Sequence, residues 1–230
     1  MKTIGLIGGM SWQSSIEYYR LINQLVAERL GTLHSAKCLL YSVDFSEMEH
    51  LQSEGQWQAA ADILAAIAGK LERAGADCLL LCTNTMHKVA DEIGAAVDIP
   101  MLHIADATGA VISSRGWQRV GLLGTRFTME EKFYRERLER NFEVEILIPS
   151  PRQRETIHRV IYAELCEGRI VADSRREFSA IADGLTIAGA EGIVLGCTEI
   201  GLLLQATDVR VPLLDTTLVH ARAAVEWALG

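Results

Sequence analysis

Two short segments hold the side chains best suited to chemistry. One reads Leu79-Leu80-Leu81-Cys82-Thr83-Asn84-Thr85-Met86-His87, the other Ile193-Val194-Leu195-Gly196-Cys197-Thr198-Glu199. In each, an apolar run stops at thiol, hydroxyl or amide residues and then enters a predicted helix. Backbone N–H groups at a helix start favour an anion such as a carboxylate. The same position lowers a thiol's pKa and makes it a usable base. Taken singly, Cys82 and Cys197 read more readily as buried small apolar side chains. Their recurrence at matching strand ends favours chemistry.

The match comes from an internal repeat. Ile4-Gly5-Leu6-Ile7-Gly8 recurs 116 residues on as Val120-Gly121-Leu122-Leu123-Gly124. Gly75-Ala76-Asp77 recurs after 114 residues as Gly189-Ala190-Glu191, and Ile99-Pro100-Met101-Leu102 after 112 as Val211-Pro212-Leu213-Leu214. Three matches in order at nearly one offset indicate a duplicated βα unit.

The elements that must position these residues follow from periodicity. Strands are predicted at Ile4–Ile7, Cys38–Val43, Cys78–Cys82, Met101–Ile104, Val120–Leu123, Val144–Ile148, Ile193–Leu195 and Val211–Leu214. Between them lie helical stretches. Ser14-Ser15-Ile16-Glu17 reads as a capping box for a helix with Ile16, Tyr19, Ile22, Val26 and Leu30 on one face and Gly31 as its stop. Thr128 with Glu131 and Ser174 with Glu177 repeat the capping signal. Such alternation predicts an α/β fold with parallel sheets flanked by helices. The repeat divides it into a first lobe, 1–115, and a second, 116–215, related by pseudo-twofold symmetry. The closing helix, about 216–229, is open to packing on the first lobe. Ligands in such sheets sit beyond the carboxyl ends of the strands, so both lobes are expected to offer the same strand end to one cleft.

Composition excludes several classes. The chain has 230 residues, 49% hydrophobic and 23% charged, as in an ordinary globular protein with a sizeable core. A net charge of -8 opposes nucleic acid and anionic membranes as partners. No run of apolar residues is long enough for a transmembrane helix, and the first residues lack a signal peptide's pattern. Five cysteines, an odd number without a secretion signal, point to reduced thiols and a cytoplasmic location. No CxxC, HExxH or other zinc spacing occurs, so no metal is expected. Gly5-Leu6-Ile7-Gly8-Gly9 lacks both nucleotide-loop spacings. Arg152, Arg154, Arg159, Arg175 and Arg176 read as solvated helix faces, and His87 as a helix-face or core residue rather than a ligand.

Taken together, the strand–Cys–x–Asn–Thr–x–His pattern, the strand–Gly–Cys–Thr–Glu pattern and the N-terminal Ile-Gly-Gly-Met turn resemble the aspartate/glutamate racemase family, over essentially the whole chain. The resemblance implies two Rossmann-like lobes with the site between them, often in a homodimer. It implies racemisation of a small amino acid without cofactor, in which two thiols flank the α-carbon, one removing the proton and the other returning it. The family motif has cysteine directly before Asn-Thr; here Thr83 stands there and the cysteine is one place earlier. At the offset of 114, Thr83 falls on Cys197 and Cys82 on Gly196. Consecutive strand side chains point to opposite faces, so the catalytic pair is assigned as Cys197 and Thr83, with Cys82 as the alternative. The resemblance further implies that Asn84, Thr85 and Thr198 hold the substrate α-carboxylate. Met10 closes the first strand end. Glu47, Gln52 and Glu164 are candidates for the ammonium or side chain, and Glu199 for orienting or deprotonating the thiol. Aspartate or glutamate is the implied substrate; Gln52 suits a neutral polar one such as homoserine equally well. Two alternatives remain open: a related hydantoin racemase or malonate-type decarboxylase, and a non-catalytic amino-acid-binding protein in which Thr83 marks decay of the site.

Overall fold

The computed structural model describes residues 1–230 and divides into two compact units, Met1–Ile104 with His220–Gly230, and Ala105–Val219. The first unit runs β1 (Ile4–Gly8), α1 (Trp12–Leu30), β2 (Cys38–Ser42), α2 (Phe45–Ser53), α3 (Trp57–Arg73), β3 (Cys78–Leu81), a 3-10 turn (Thr85–Val89), α4 (Ala90–Gly94) and β4 (Met101–Leu102). The second runs α5 (Ile104–Ser114), β5 (Arg119–Gly124), α6 (Arg126–Glu130), α7 (Lys132–Phe142), β6 (Glu145–Leu147), α8 (Pro151–Ala163), a 3-10 turn (Leu165–Glu167), α9 (Ala172–Ile187), β7 (Ile193–Gly196), α10 (Ile200–Leu203) and β8 (Leu213–Asp215). The chain closes on α11 (Thr216–Leu229), whose larger part belongs to the first unit. Each unit holds one four-stranded parallel sheet, ordered β2-β1-β3-β4 in the first and β6-β5-β7-β8 in the second. No helix is long and apolar enough to cross a membrane.

The repeat seen in the sequence is a repeat of register. Ile7 faces Leu81 in the first sheet, and their counterparts Leu123 and Leu195 face each other in the second. Leu79 faces Met101, and their counterparts Ile193 and Leu213 do the same. The slightly different offsets of the three matches are therefore the offsets that the strand pairing itself requires.

Alternation along β3 sorts its side chains between two cores. Leu79 and Leu81 join Ile7 and the α3 residues Ala60, Leu64, Ile67 and Leu71. Cys78, Leu80 and Cys82 join Ile4 and Leu6, with Tyr18, Ile22 and Val26 of α1 and Ala221, Ala224 and Val225 of α11. Burial on both faces is the rule for parallel sheets and explains the continuous apolar runs. Two glycines let β1 end where it does. A Cβ on Gly9, at φ +92, would collide with the Val43 carbonyl, and one on Gly8 would lie 2.5 Å from Ser15 Oγ.

Several helix starts and faces differ from those the sequence predicts. The N-cap of α1 is Ser11, whose side chain accepts from the Ser14 amide, so Ser14 and Ser15 lie inside the helix. Its buried face is Tyr18, Ile22 and Val26, recurring every fourth residue; Ile16, Tyr19 and Leu30 are exposed. At about 100° per residue Ile16 stands on the far side of the helix from Tyr18. Thr125, not Thr128, caps α6, and Ser174 lies within the first turn of α9 rather than before it. The helix α5, which the repeat placed in the first lobe, packs with the second unit: Arg137 forms a two-pronged ion pair with Asp106 at 2.7 Å, and a Cβ on Gly109 would strike the Phe142 ring.

His220 joins α11 to the first unit. Its Nε2–H donates to the Leu102 carbonyl at 2.7 Å, and its Nδ1 accepts from the Tyr18 hydroxyl at 2.8 Å. Burial lowers its pKa from 6.5 to about 4. The unfolded chain takes up a proton near 6.5, the folded one only near 4. Stability is therefore whole above pH 6.5 and falls as the pH drops towards 4, by up to about 3 kcal/mol. We expect His220→Gln to be less stable at pH 7 and to show a flatter acid limb in thermal melts recorded from pH 7 to 4.5. Parallel limbs for the two proteins would contradict this role.

Candidate functional site

At the end of β3 the ladder stops one residue past the strand, where the Cys82 amide donates to the Ile7 carbonyl at 2.9 Å. The Thr83 amide then turns back to the Leu81 carbonyl at 2.8 Å. Cys82 is wholly buried, and burial raises its pKa, with the neighbouring Cys38 adding to the effect. Such a thiol stays protonated and packs as an apolar group. Thr83 retains 8% exposure, and its neighbours Asn84 and Thr85 enter the 3-10 turn. Within the same unit, the Gln52 side-chain amide on α2 reaches Met86 Sδ at 3.0 Å, and Met10 packs in the core cluster that holds Met86. Glu47 lies apart from them, exposed in the first turn of α2, where a carboxylate complements the helix dipole.

At the end of β7, Cys197, Thr198 and Glu199 form one buried network. The Cys197 thiol donates to Glu199 Oε2 at 3.0 Å, and the Thr198 hydroxyl donates to the same oxygen at 2.6 Å. Burial raises the Cys197 pKa well above its ordinary value, and the Glu199 and Cys166 charges push it further. The resting Cys197 is therefore a protonated thiol hydrogen-bonded to the Glu199 side chain. Strand β7 is held from α11, where the Thr216 hydroxyl donates to the Leu195 carbonyl at 2.7 Å. Glu164, at the end of α8, accepts from the Ser174 hydroxyl at 2.6 Å, with Arg159 4.0 Å away.

Neither strand end leads into the long helix start that the sequence suggests. A 3-10 turn follows β3, and the four-residue α10 follows β7. Neither carries a sizeable macrodipole, so any anion there would be held by loop amides and hydroxyls. Two residues that the sequence suggests only as part of a helix cap and as a helix-face or core residue help to shape the strand ends. Ser15 Oγ accepts from the Gly9 amide at 2.7 Å and shapes the end of β1. The His87 ring contacts the Thr83 carbonyl at 2.8 Å. Its separation of four residues from Thr83 was a visible signal for one helical turn. No three His, Cys, Asp or Glu side chains are grouped so as to hold a metal ion.

A family model described as Asp/Glu/Hydantoin racemase matches residues 7–224. A solved structure from Yersinia pestis, provisionally named an Asp/Glu racemase, is 53% identical, with a TM-score of 0.93 and full coverage of both chains. A solved aspartate racemase homologue from Pyrococcus horikoshii is 34% identical, with a TM-score of 0.86 and full coverage of both. The broad specificity amino-acid racemase RacX of Bacillus subtilis is 25% identical over 163 residues, 71% of this chain and 70% of its own.

Proposed function

Because the chain belongs to the Asp/Glu/Hydantoin racemase family, we propose that it interconverts the L and D forms of a free amino acid by moving the α-proton, with Cys197 and Thr83 as the pair and without pyridoxal phosphate or metal. The observation that carries this reading is the Cys197 thiol on the Glu199 carboxylate at 3.0 Å, at the position whose counterpart in the sequence repeat is Thr83. In the forward step the thiol proton passes to Glu199. The thiolate removes the substrate α-proton, and the electron pair of that C–H bond is delocalised into the α-carboxylate as a planar carbanion. A proton delivered from the opposite face, by the Thr83 hydroxyl, which regains it from water, or by a water that it relays, completes inversion, and the hydroxide so formed takes the proton held on Glu199. Return of the proton from Cys197 instead regenerates the starting enantiomer. Asn84, Thr85 and Thr198 are assigned to the α-carboxylate, and Gln52 and Glu164 to the ammonium or side chain, with Met10 closing the pocket. The substrate set is aspartate, glutamate or a broader group that includes homoserine.

The test is a panel of single enantiomers, with a substituted hydantoin and a malonate as controls. Inversion of at least one amino acid that persists after EDTA dialysis and hydroxylamine supports the reading. Inversion of the hydantoin alone, or loss after hydroxylamine, contradicts it.

Glu199→Gln keeps an acceptor for the thiol and for Thr198 but cannot take a full proton. We expect kcat to fall by about 10²-fold, within the range of a general-base contribution. Removing the negative charge should at the same time let Cys197 ionise at lower pH, as read by iodoacetamide alkylation. A variant with unchanged kcat would remove Glu199 from the proton path.

A further inference from the structure

The Thr83 carbonyl has one partner, the His87 ring, and that ring has a fixed protonation pattern. The Ile104 amide can only donate, and it points at His87 Nε2 at 3.2 Å. Nε2 is therefore an unprotonated acceptor. A neutral imidazole then carries its proton on Nδ1, which lies 2.8 Å from the Thr83 carbonyl, a group that can only accept. Both roles are dictated by backbone groups. The ring is buried, at 2% exposure, and packs edge-on against His103 and His220 at centroid distances of 4.5 and 5.7 Å.

We propose that His87 is a positioning residue that holds the Thr83 peptide, and with it the Thr83 hydroxyl, in the orientation used for proton transfer; this rests on the reading of Thr83 as the second member of the pair. The ladder of β3 ends with Cys82, so past that point the strand pairing no longer holds the chain. The Thr83 amide bonds only to its near neighbour Leu81, and its hydroxyl makes no hydrogen bond within the protein. The aim of that hydroxyl therefore depends on the peptide that His87 grips. His87 is not itself an acid or base in the reaction, because both ring nitrogens are occupied by backbone. The second unit solves the equivalent problem differently. The repeat counterpart of His87 is Gly201 and that of Thr85 is Glu199, so there a carboxylate grips the reacting side chain directly. One strand end is organised through its side chain and the other through its backbone.

Two isosteric variants separate the two bonds. Asparagine places its amide N–H near the position of Nδ1 and keeps the bond to Thr83. Glutamine reaches the position of Nε2 and keeps the bond from Ile104. For each protein, α-deuterium incorporation and inversion are measured in D2O from the enantiomer that exchanges faster, together with the melting temperature. Misplacing a reacting group by about 1 Å can cost about 10²-fold. We expect His87→Gln to lose about 10- to 100-fold in inversion while exchange through Cys197 persists, so its exchange-to-inversion ratio rises by that factor. His87→Asn should slow both processes together and keep a ratio near that of the wild type, although it gives up the Ile104 bond and melts lower. A ratio that is unchanged in His87→Gln, or that follows the melting temperature in both variants, overturns the inference and leaves the racemase reading intact. A wild type that exchanges no α-proton overturns both. Nitrogen-15 NMR of the wild-type ring provides a check without substitution: protonated Nδ1 with unprotonated Nε2 is expected, and the opposite tautomer would overturn the inference.

Discussion

Cys197→Ser is expected to abolish α-proton exchange from both enantiomers while leaving the fold in place. The substitution is nearly isosteric, and serine can still donate to Glu199, so the network at the end of β7 keeps its hydrogen bond. What changes is acidity. A thiol ionises near 8.5 in water, whereas an aliphatic hydroxyl ionises far above that. Burial and the Glu199 charge already push the group at this position upwards, and a hydroxyl there is out of Glu199's reach as a source of base. General acid–base catalysis contributes about 10²- to 10⁴-fold, and with a hydroxyl rather than a thiol at the counterpart position, Thr83, most of that range should be lost. Circular dichroism and the melting curve should be close to wild type, and alanine at Cys38 or Cys166 should leave exchange intact. Near-normal racemisation by Cys197→Ser would remove this residue from the mechanism.

Thr83→Cys is expected to accelerate the reaction selectively. A threonine hydroxyl is a very poor base at neutral pH but can pass a proton to a carbanion. The wild type should therefore act on one enantiomer readily and on the other slowly, with the asymmetry spread over kcat and KM because the equilibrium constant stays near one. A thiol at position 83 supplies the missing base. Exchange from the disfavoured enantiomer should rise by about 10-fold or more, and exchange from the favoured one much less. Cys82→Ala should change neither by more than a few-fold, because Cys82 sits among Ile4, Leu6, Tyr18 and Ala221 on the other face of the strand. Its effect should be on stability, by about 1 kcal/mol or more for the buried volume removed. Chiral chromatography from each pure enantiomer reads both variants. Loss of one enantiomer's reaction in Cys82→Ala but not in Thr83→Ala would exchange the roles of these neighbours.

Much of this architecture could be read from the chain. All eight strands overlap the apolar runs that predict them, with ends shifted by one or two residues; the central strands β1, β3, β5 and β7, buried on both faces, leave the clearest apolar signature, and the internal repeat carries the strand register with it. Period-two alternation was enough to put Cys82 in the core beside Leu80 and Cys78. Helix faces were less legible. In α1 the apolar residues Ile16 and Tyr19 compete with Tyr18, Ile22 and Val26 for the inward side, and the start at Ser11, three residues before the apparent capping box, goes with the second set facing inward. The spacing of Cys197 and Glu199 suggested their contact, since two residues at a strand end can curl back on one another. The grip of His87 on Thr83 could not be read from composition. The four-residue spacing of Thr83 and His87 is compatible with it, but it depends on the 3-10 turn after β3 and on an amide from Ile104, seventeen positions further along the chain.

In the mechanism we propose, one buried thiol does the proton abstraction and the other face has only a hydroxyl. The most direct measurement of it is proton NMR of each pure enantiomer of a turned-over amino acid in D2O, following the loss of the α-proton signal under wild-type protein and under Cys197→Ser. Under this mechanism, rapid loss from one enantiomer, slow loss from the other, and no loss from either with the serine variant are expected. Equal rates from both enantiomers in the wild type, or exchange that survives in Cys197→Ser, would contradict it.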